Sequence, residues 1–306
     1  MEDHDLSDRK RSMKRMIEAD FFPHECRDEN RSSASATRPK AEAFLFTARL
    51  LSMRPEVFLR GRIVDRMSTL FHLLANCAAS LSMKLLFTCV GRVHVLRRQN
   101  ANHHGGFLLA ANHISHFDPP ILASVVERKI DWMAMAEFFP RPLLGRFLRA
   151  IDAFPADRHH ANPATIRTAI ERLKEGRIVG LFPEGGIRDG TKSVLEGAPM
   201  RLGVSTLAHM AGVPIVPCVI VGSDRFYSKK SWTSLRRTPV WIAFGDPIPH
   251  FPDLAKSAAR KRIELELVAA FKDLYAELRE AFLLTADDLP HPPQQRMNGQ
   301  NGGTAC

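Results

Sequence analysis

The stretch Phe107–Val126, "FLLAANHISHFDPPILASVV", decides how the rest of the chain reads. Its first five residues, all apolar, read as a strand. The polar turn Asn112–Asp118 follows, and the two prolines Pro119–Pro120 then open a helix, since proline is tolerated only in a first helical turn. Catalytic groups of α/β proteins sit in such strand-to-helix loops. The loop offers His113, His116 and Asp118. Asp118 before Pro119 also reads as an N-cap.

Short apolar runs alternate with amphipathic segments on either side. Strands are expected at RVHVL, FLLAA, DWMAMA, RIVGLF, PIVPCVIV and VWIAFG, and helices over 119–128, 141–150, 162–175, 200–211 and 255–283. Asn162 followed by Pro163 is a helix start, and Gly176 a helix stop. This alternation predicts an α/β fold with a mixed, largely parallel sheet flanked by helices. Pro214 and Pro217 interrupt one apolar run, and interior proline disfavours a central ladder position.

The chain has 306 residues, 45% hydrophobic and 25% charged, enough for a substantial core. Its net charge of +10 points to anionic partners: a phospholipid surface, nucleic acid or a phosphorylated substrate. Five scattered cysteines without a CxxC argue against a disulfide framework or a cysteine zinc site. The N-terminus lacks the apolar stretch of a secretory signal. Residues 1–40 and 284–306 read as disordered tails. Between the first tail and the α/β domain at 91–283, residues 41–90 form an apolar helical region. From Met67 to Met83 it holds 17 residues without Asp, Glu, Lys or Arg, flanked by Arg62, Arg66 and Lys84. It reads as membrane-associating, by lying on or dipping into a leaflet, with a single span and a buried core helix as the alternatives. The basic-aromatic stretch Tyr227–Arg237, with Trp232 among Lys229, Lys230, Arg236 and Arg237, reads as a second headgroup contact.

A second polar loop, "GLFPEGGIRDG" at Gly180–Gly190, again follows a strand. It brings Glu184, two glycines that allow close backbone approach and Arg188, a guanidinium suited to phosphate. A third, "DAFPADRHH", places Arg158 at another strand end, and "GVPIVPCVI" completes the set.

In this order the four segments resemble the glycerolipid acyltransferase superfamily, over about residues 85–250. The N-H-x-S-x-x-D motif is met by Asn112, His113, Ser115 and Asp118. F-P-E-G is met by Phe182, Pro183, Glu184 and Gly185. The second motif is met at Phe154 and Arg158, the fourth at Val213, Pro214 and Pro217. In three places the chain departs from the family pattern: Arg188 comes four residues after Glu184 rather than three, Asp152 stands where glycine commonly opens the second motif, and Met135 stands where a lysine often precedes a glutamate, here Glu137.

The resemblance implies acyl transfer from a thioester, acyl-CoA or acyl-carrier protein, to the hydroxyl of a lysophospholipid, with 1-acyl-sn-glycerol-3-phosphate the favoured acceptor. His113 is then the general base and Asp118 its orienting carboxylate. Asn112, Ser115, Gly185 and Gly186 join the substrate site, Arg158 and Arg188 clamp the acceptor phosphate, and Glu184 positions arginine or acceptor. Amides near Gly185 and in the helix turn at Pro119 are candidate oxyanion donors. Val213, Pro214 and Pro217 form an apolar strand near the site. No metal or other cofactor is implied, and no nucleic acid. The place of work is the cytoplasmic face of a membrane, with monotopic or single-span attachment. Three rival readings stand beside this one: the same chemistry on glycerol-3-phosphate or a lyso-aminolipid, a metal-dependent hydrolase built on His113, His116 and Asp118, and a basic membrane- or nucleic-acid-binding module indifferent to His113.

Overall fold

Continuous burial of the apolar runs organises the molecule around one sheet. The computed structural model describes residues 77–78, 81–157, 162–200, 203–233 and 236–297. These belong to the second of two compact units, Asn76–Cys306. Among the described residues there are seven strands: β1 Gly91–Leu96, β2 Phe107–Ala111, β3 Ile130–Met135, β4 Phe154–Ala156, β5 Ile178–Leu181, β6 Ile215–Val221 and β7 Thr238–Phe244. They lie in the order β1-β7-β6-β2-β5-β3-β4. Every pairing is parallel except β6 with β7. This is the mixed, largely parallel sheet expected from the alternation.

β2, β5 and β6 are buried along their whole length, as apolar strands covered on both faces must be. The main helices are α1 Asp118–Val125, α2 Pro142–Ala150, α3 Pro163–Lys174, α4 Gly203–Ala211 and α5 Lys256–Ala281. α5 places Ile263, Leu267, Phe271, Leu274 and Leu278 on one buried stripe at helical spacing, and packs against β6, β7 and α4. Asn162 caps α3 by accepting from the Ala164 amide at 2.9 Å, and Gly176 ends that helix region with φ 80. Asp152 has φ 59, the left-handed conformation that glycine adopts at least cost, and Lys129 pairs with its carboxylate.

Pro217 lies in the central strand β6, against the expectation that proline avoids such a place. Its missing N–H falls between two pairings with the returning chain: the β6–β7 ladder, which ends at Cys218 opposite Phe244, and the Ile215–Ile248 bridge. Gly245 donates to the Pro217 carbonyl at 2.8 Å in the bulge between them. A β-carbon on Gly245 would lie 2.6 Å from Pro217 Cγ, so the proline ring needs a glycine opposite.

One expectation changes at the C-terminal end of the chain. Residues 284–297 are packed rather than a tail: Arg296 Nε donates to the buried Asp224 carboxylate at 2.7 Å, and Thr285 and Asp288 form a capping box. That long-range ion pair is invisible to composition. Most of the 41–90 region lies outside the described residues. Residues 81–90 are helical, with Phe87 in the core and Leu81 and Leu85 exposed. Among the described residues no helix is long and apolar enough to cross a membrane.

Candidate active site

The C-terminal ends of β2 and β5 lie side by side, so their loops meet. His113 Nδ1 is 2.8 Å from Asp118 Oδ2. The same oxygen accepts from the amides of Ile114 at 2.8 Å and Ser115 at 2.9 Å, and Oδ1 accepts from the Ser223 hydroxyl. Asp118 is fully buried, and these donors together with the imidazole supply the partners a buried carboxylate requires. It is the first residue of α1 and caps nothing; its side chain turns back into the loop instead.

With Nδ1 donating to Asp118, His113 carries its lone pair on Nε2. Among the described residues no hydrogen bond reaches that nitrogen, and the side chain stays 15% exposed. Phe182 stacks on the imidazole at 4.0 Å between centroids, and Trp132 stacks on Phe182 at 5.2 Å. The ring is thereby held from one face and from one nitrogen.

Glu184 spans the two loops. Its Oε2 accepts from the His113 amide at 2.5 Å, and its Oε1 from the Ser193 hydroxyl at 2.7 Å and the Val194 amide at 2.9 Å. Burial raises its pKa, while the donors from Ser193, His113 and Val194 pull the other way. The Arg188 amide donates to the His113 carbonyl at 2.8 Å, so the backbone of His113 is latched to this loop on both sides. The Arg188 guanidinium itself is exposed. Gly185, with φ 66, closes the turn by donating to the Phe182 carbonyl.

Several expected roles shift. The Asn112 amide exchanges two hydrogen bonds with the backbone of Ile220, at 3.0 and 2.8 Å, and is fully buried. It ties β2 to β6 rather than facing a substrate. Ser115 is buried too, its hydroxyl accepting from the Phe117 amide at 3.1 Å. Glu184 is occupied by the protein's own donors rather than by an arginine. Of the expected oxyanion donors, the Gly185 amide is taken, and Pro119 and Pro120 have no N–H. The amides of Gly186 and Ile187 make no hydrogen bond among the described residues. Val213 is buried, the Pro214 carbonyl accepts from the Leu108 amide at 3.0 Å and so holds the start of β6 beside β2, and Pro217 stands in register with Ala110. Arg158 lies outside the described residues.

His116 turns away from the pair. Its Nδ1 meets the Tyr227 hydroxyl at 2.5 Å, and its amide donates to the same oxygen at 3.1 Å. Burial and the neighbouring His113 lower its pKa. The imidazoles of His113 and His116 thus engage different partners, and among the described residues no cluster of three His, Cys, Asp or Glu is arranged for a metal ion.

Ser223 escaped sequence reasoning, and Tyr227 and Trp232 read there only as parts of a headgroup contact. Ser223 and Tyr227 are set by the turn after β6 and carry no motif. Trp232, expected at headgroup depth, donates its indole N–H to the Phe226 carbonyl at 2.7 Å and packs on Phe117 and Phe226 behind the catalytic loop. The cations around it do face outward, and a cleft of about 460 Å³ there is lined by Arg225, Lys230, Arg236, Arg237 and Arg296.

The family model described as Acyltransferase matches residues 92–221. The 1-acyl-sn-glycerol-3-phosphate acyltransferase of Bacillus subtilis (strain 168) is 33% identical over 183 residues, 60% of this chain and 86% of that protein. A protein of the same name from Streptococcus pneumoniae (strain ATCC BAA-255 / R6) is 28% identical over 167 residues, 54% of this chain and 58% of that one. Among solved structures, the 1-acyl-sn-glycerophosphate (LPA) acyltransferase PlsC from Thermotoga maritima matches with a TM-score of 0.47 at 20% identity, covering 77% of this chain and 89% of that one.

Proposed function

Because the chain belongs to the glycerolipid acyltransferase family, and is an acyltransferase, we propose that it acylates the free hydroxyl of 1-acyl-sn-glycerol-3-phosphate to give phosphatidic acid. The observation that carries this reading is the pair His113–Asp118, a buried carboxylate on Nδ1 with Nε2 left for a substrate.

His113 Nε2 takes the hydroxyl proton as that oxygen attacks the carbonyl of an acyl thioester, acyl-CoA or acyl-carrier protein. Asp118 holds the tautomer and stabilises the imidazolium as it forms. The tetrahedral oxyanion draws on the unengaged amides of Gly186 and Ile187. When the carbon–sulfur bond breaks, the imidazolium returns its proton to the leaving thiolate. No acyl-enzyme is needed, and no cofactor beyond the thioester. Arg188, exposed beside the His113 carbonyl, meets the acceptor phosphate. The apolar composition of residues 41–90 supports attachment at the cytoplasmic face of a membrane.

Thiol release from acyl-CoA and acyl-carrier protein, measured against a panel of acceptors, tests the reading. The expected result is fastest release with 1-acyl-sn-glycerol-3-phosphate. Preference for glycerol-3-phosphate or a lyso-aminolipid would overturn the acceptor, and release indifferent to every hydroxyl acceptor would overturn the reaction.

A further inference from the structure

The segment that follows β3 carries apolar surface and charge that the catalytic loops do not use. β2, β5 and β3 are parallel neighbours, so the loops leaving their C-terminal ends emerge on one edge of the sheet. Two of those loops hold His113 and Glu184. The third, residues 136–141, runs directly into α2.

α2, with the sequence PLLGRFLRA, faces the protein through Leu148, which packs on the core, and Gly145, where a β-carbon would lie 2.1 Å from the Phe139 carbonyl oxygen. Its outer side is apolar. Leu143 is 82% exposed, and Phe147, one turn on, is 47% exposed, with Leu144 beside them. Three guanidiniums frame this ridge. Arg141 stands over the Phe138 ring, Arg149 over the Phe139 ring, and Arg146 is exposed. No acidic residue occurs from 138 to 151.

Water gives a helix no reason to direct a leucine and a phenylalanine outward at helical spacing. Lipid does. Apolar side chains ringed by arginine suit the boundary between acyl chains and phosphates. A second copy of the chain would bring the same three arginines to a symmetric contact, which like charge opposes. We propose that α2 docks on an anionic bilayer, with Leu143 and Phe147 among the acyl chains and Arg141, Arg146 and Arg149 among the phosphates. Docking there turns the His113 edge of the sheet to the membrane. This rests on the lipid-acceptor reading, to which it adds the route from the bilayer to the base.

The test uses the full chain carrying Phe147→Trp and vesicles of phosphatidylcholine mixed with phosphatidylglycerol. The emission added over wild type should shift to the blue on vesicle binding and be quenched by lipids brominated on the acyl chains. Added emission that stays at its aqueous wavelength while the protein co-sediments with vesicles overturns the proposal. In a second arm, Leu143→Ser with Phe147→Ser should lower turnover of acceptor held in anionic vesicles about tenfold or more, from the apolar surface no longer buried. Turnover of a short-chain acceptor dissolved as monomers should be unchanged. A double variant that keeps vesicle activity, or that changes the oligomeric mass instead, also overturns it. If wild type acylates neither form of acceptor, the proposed function fails, and the fluorescence arm still decides the docking.

Discussion

The hydroxyl of Ser223 donates to Oδ1 of Asp118, joining the turn after β6 to the loop after β2 across 105 positions of sequence. The other oxygen of that carboxylate holds His113. Ser223→Ala leaves a fully buried carboxylate oxygen without its donor, a loss of about 1.5–3 kcal/mol for a charged hydrogen bond. Thermal denaturation should show the lower stability and steady-state assays a fall in kcat. Ser223→Thr keeps the hydroxyl and should restore most of both; equal damage from the two substitutions would assign Ser223 to packing alone.

His113 and His116 share a loop and differ in geometry. His113→Ala should lower kcat by about 10²–10⁴, the usual worth of a general base, with only a modest fall in melting temperature, because Asp118 Oδ2 keeps the amides of Ile114 and Ser115. His116→Ala removes contacts to the Tyr227 hydroxyl and none to Asp118, so its loss should stay below about tenfold. Equal losses, reversed by added zinc or manganese, would favour a metal-dependent hydrolase instead.

Glu184 offers a test by pH. Burial raises its carboxyl above the ordinary value, so the folded state binds that proton more tightly than the unfolded state. Its contribution to stability is therefore full below the unfolded pKa and is lost as pH rises through the raised folded one. Glu184→Gln should flatten the denaturation free energy across that window. At neutral pH it should still cost about 1–3 kcal/mol, because an amide cannot accept from the His113 and Val194 amides and the Ser193 hydroxyl together. A variant as stable as wild type at neutral pH would show that these bonds do not hold the loop.

Arg188 should act on the acceptor. Arg188→Ala is expected to raise the acceptor KM about tenfold or more and to leave the thioester KM unchanged, and lysine should rescue poorly, since it cannot bind phosphate bidentately. An unchanged acceptor KM would place the phosphate elsewhere on the edge.

Local chemistry made much of this molecule legible in one dimension. The alternation of short apolar runs with amphipathic segments predicts a largely parallel sheet, and FLLAA, buried at all five residues, lies between two parallel strands of it. His113 and Asp118 sit five apart in one loop; the family resemblance implies their pairing, and a single turn suffices to join them in the structure. Other contacts needed the fold. Asn112 reads as a substrate ligand until β6 lies beside β2 and presents the Ile220 backbone to it. Glu184 reads as the partner of an arginine or of the acceptor until two loops converge on it with their own donors. Ser223, Tyr227 and the Asp224–Arg296 pair carry no motif, because their partners are set by strand order and register. Periodicity and spacing act within a few residues, whereas the satisfaction of a buried polar group depends on which distant backbone the sheet brings beside it.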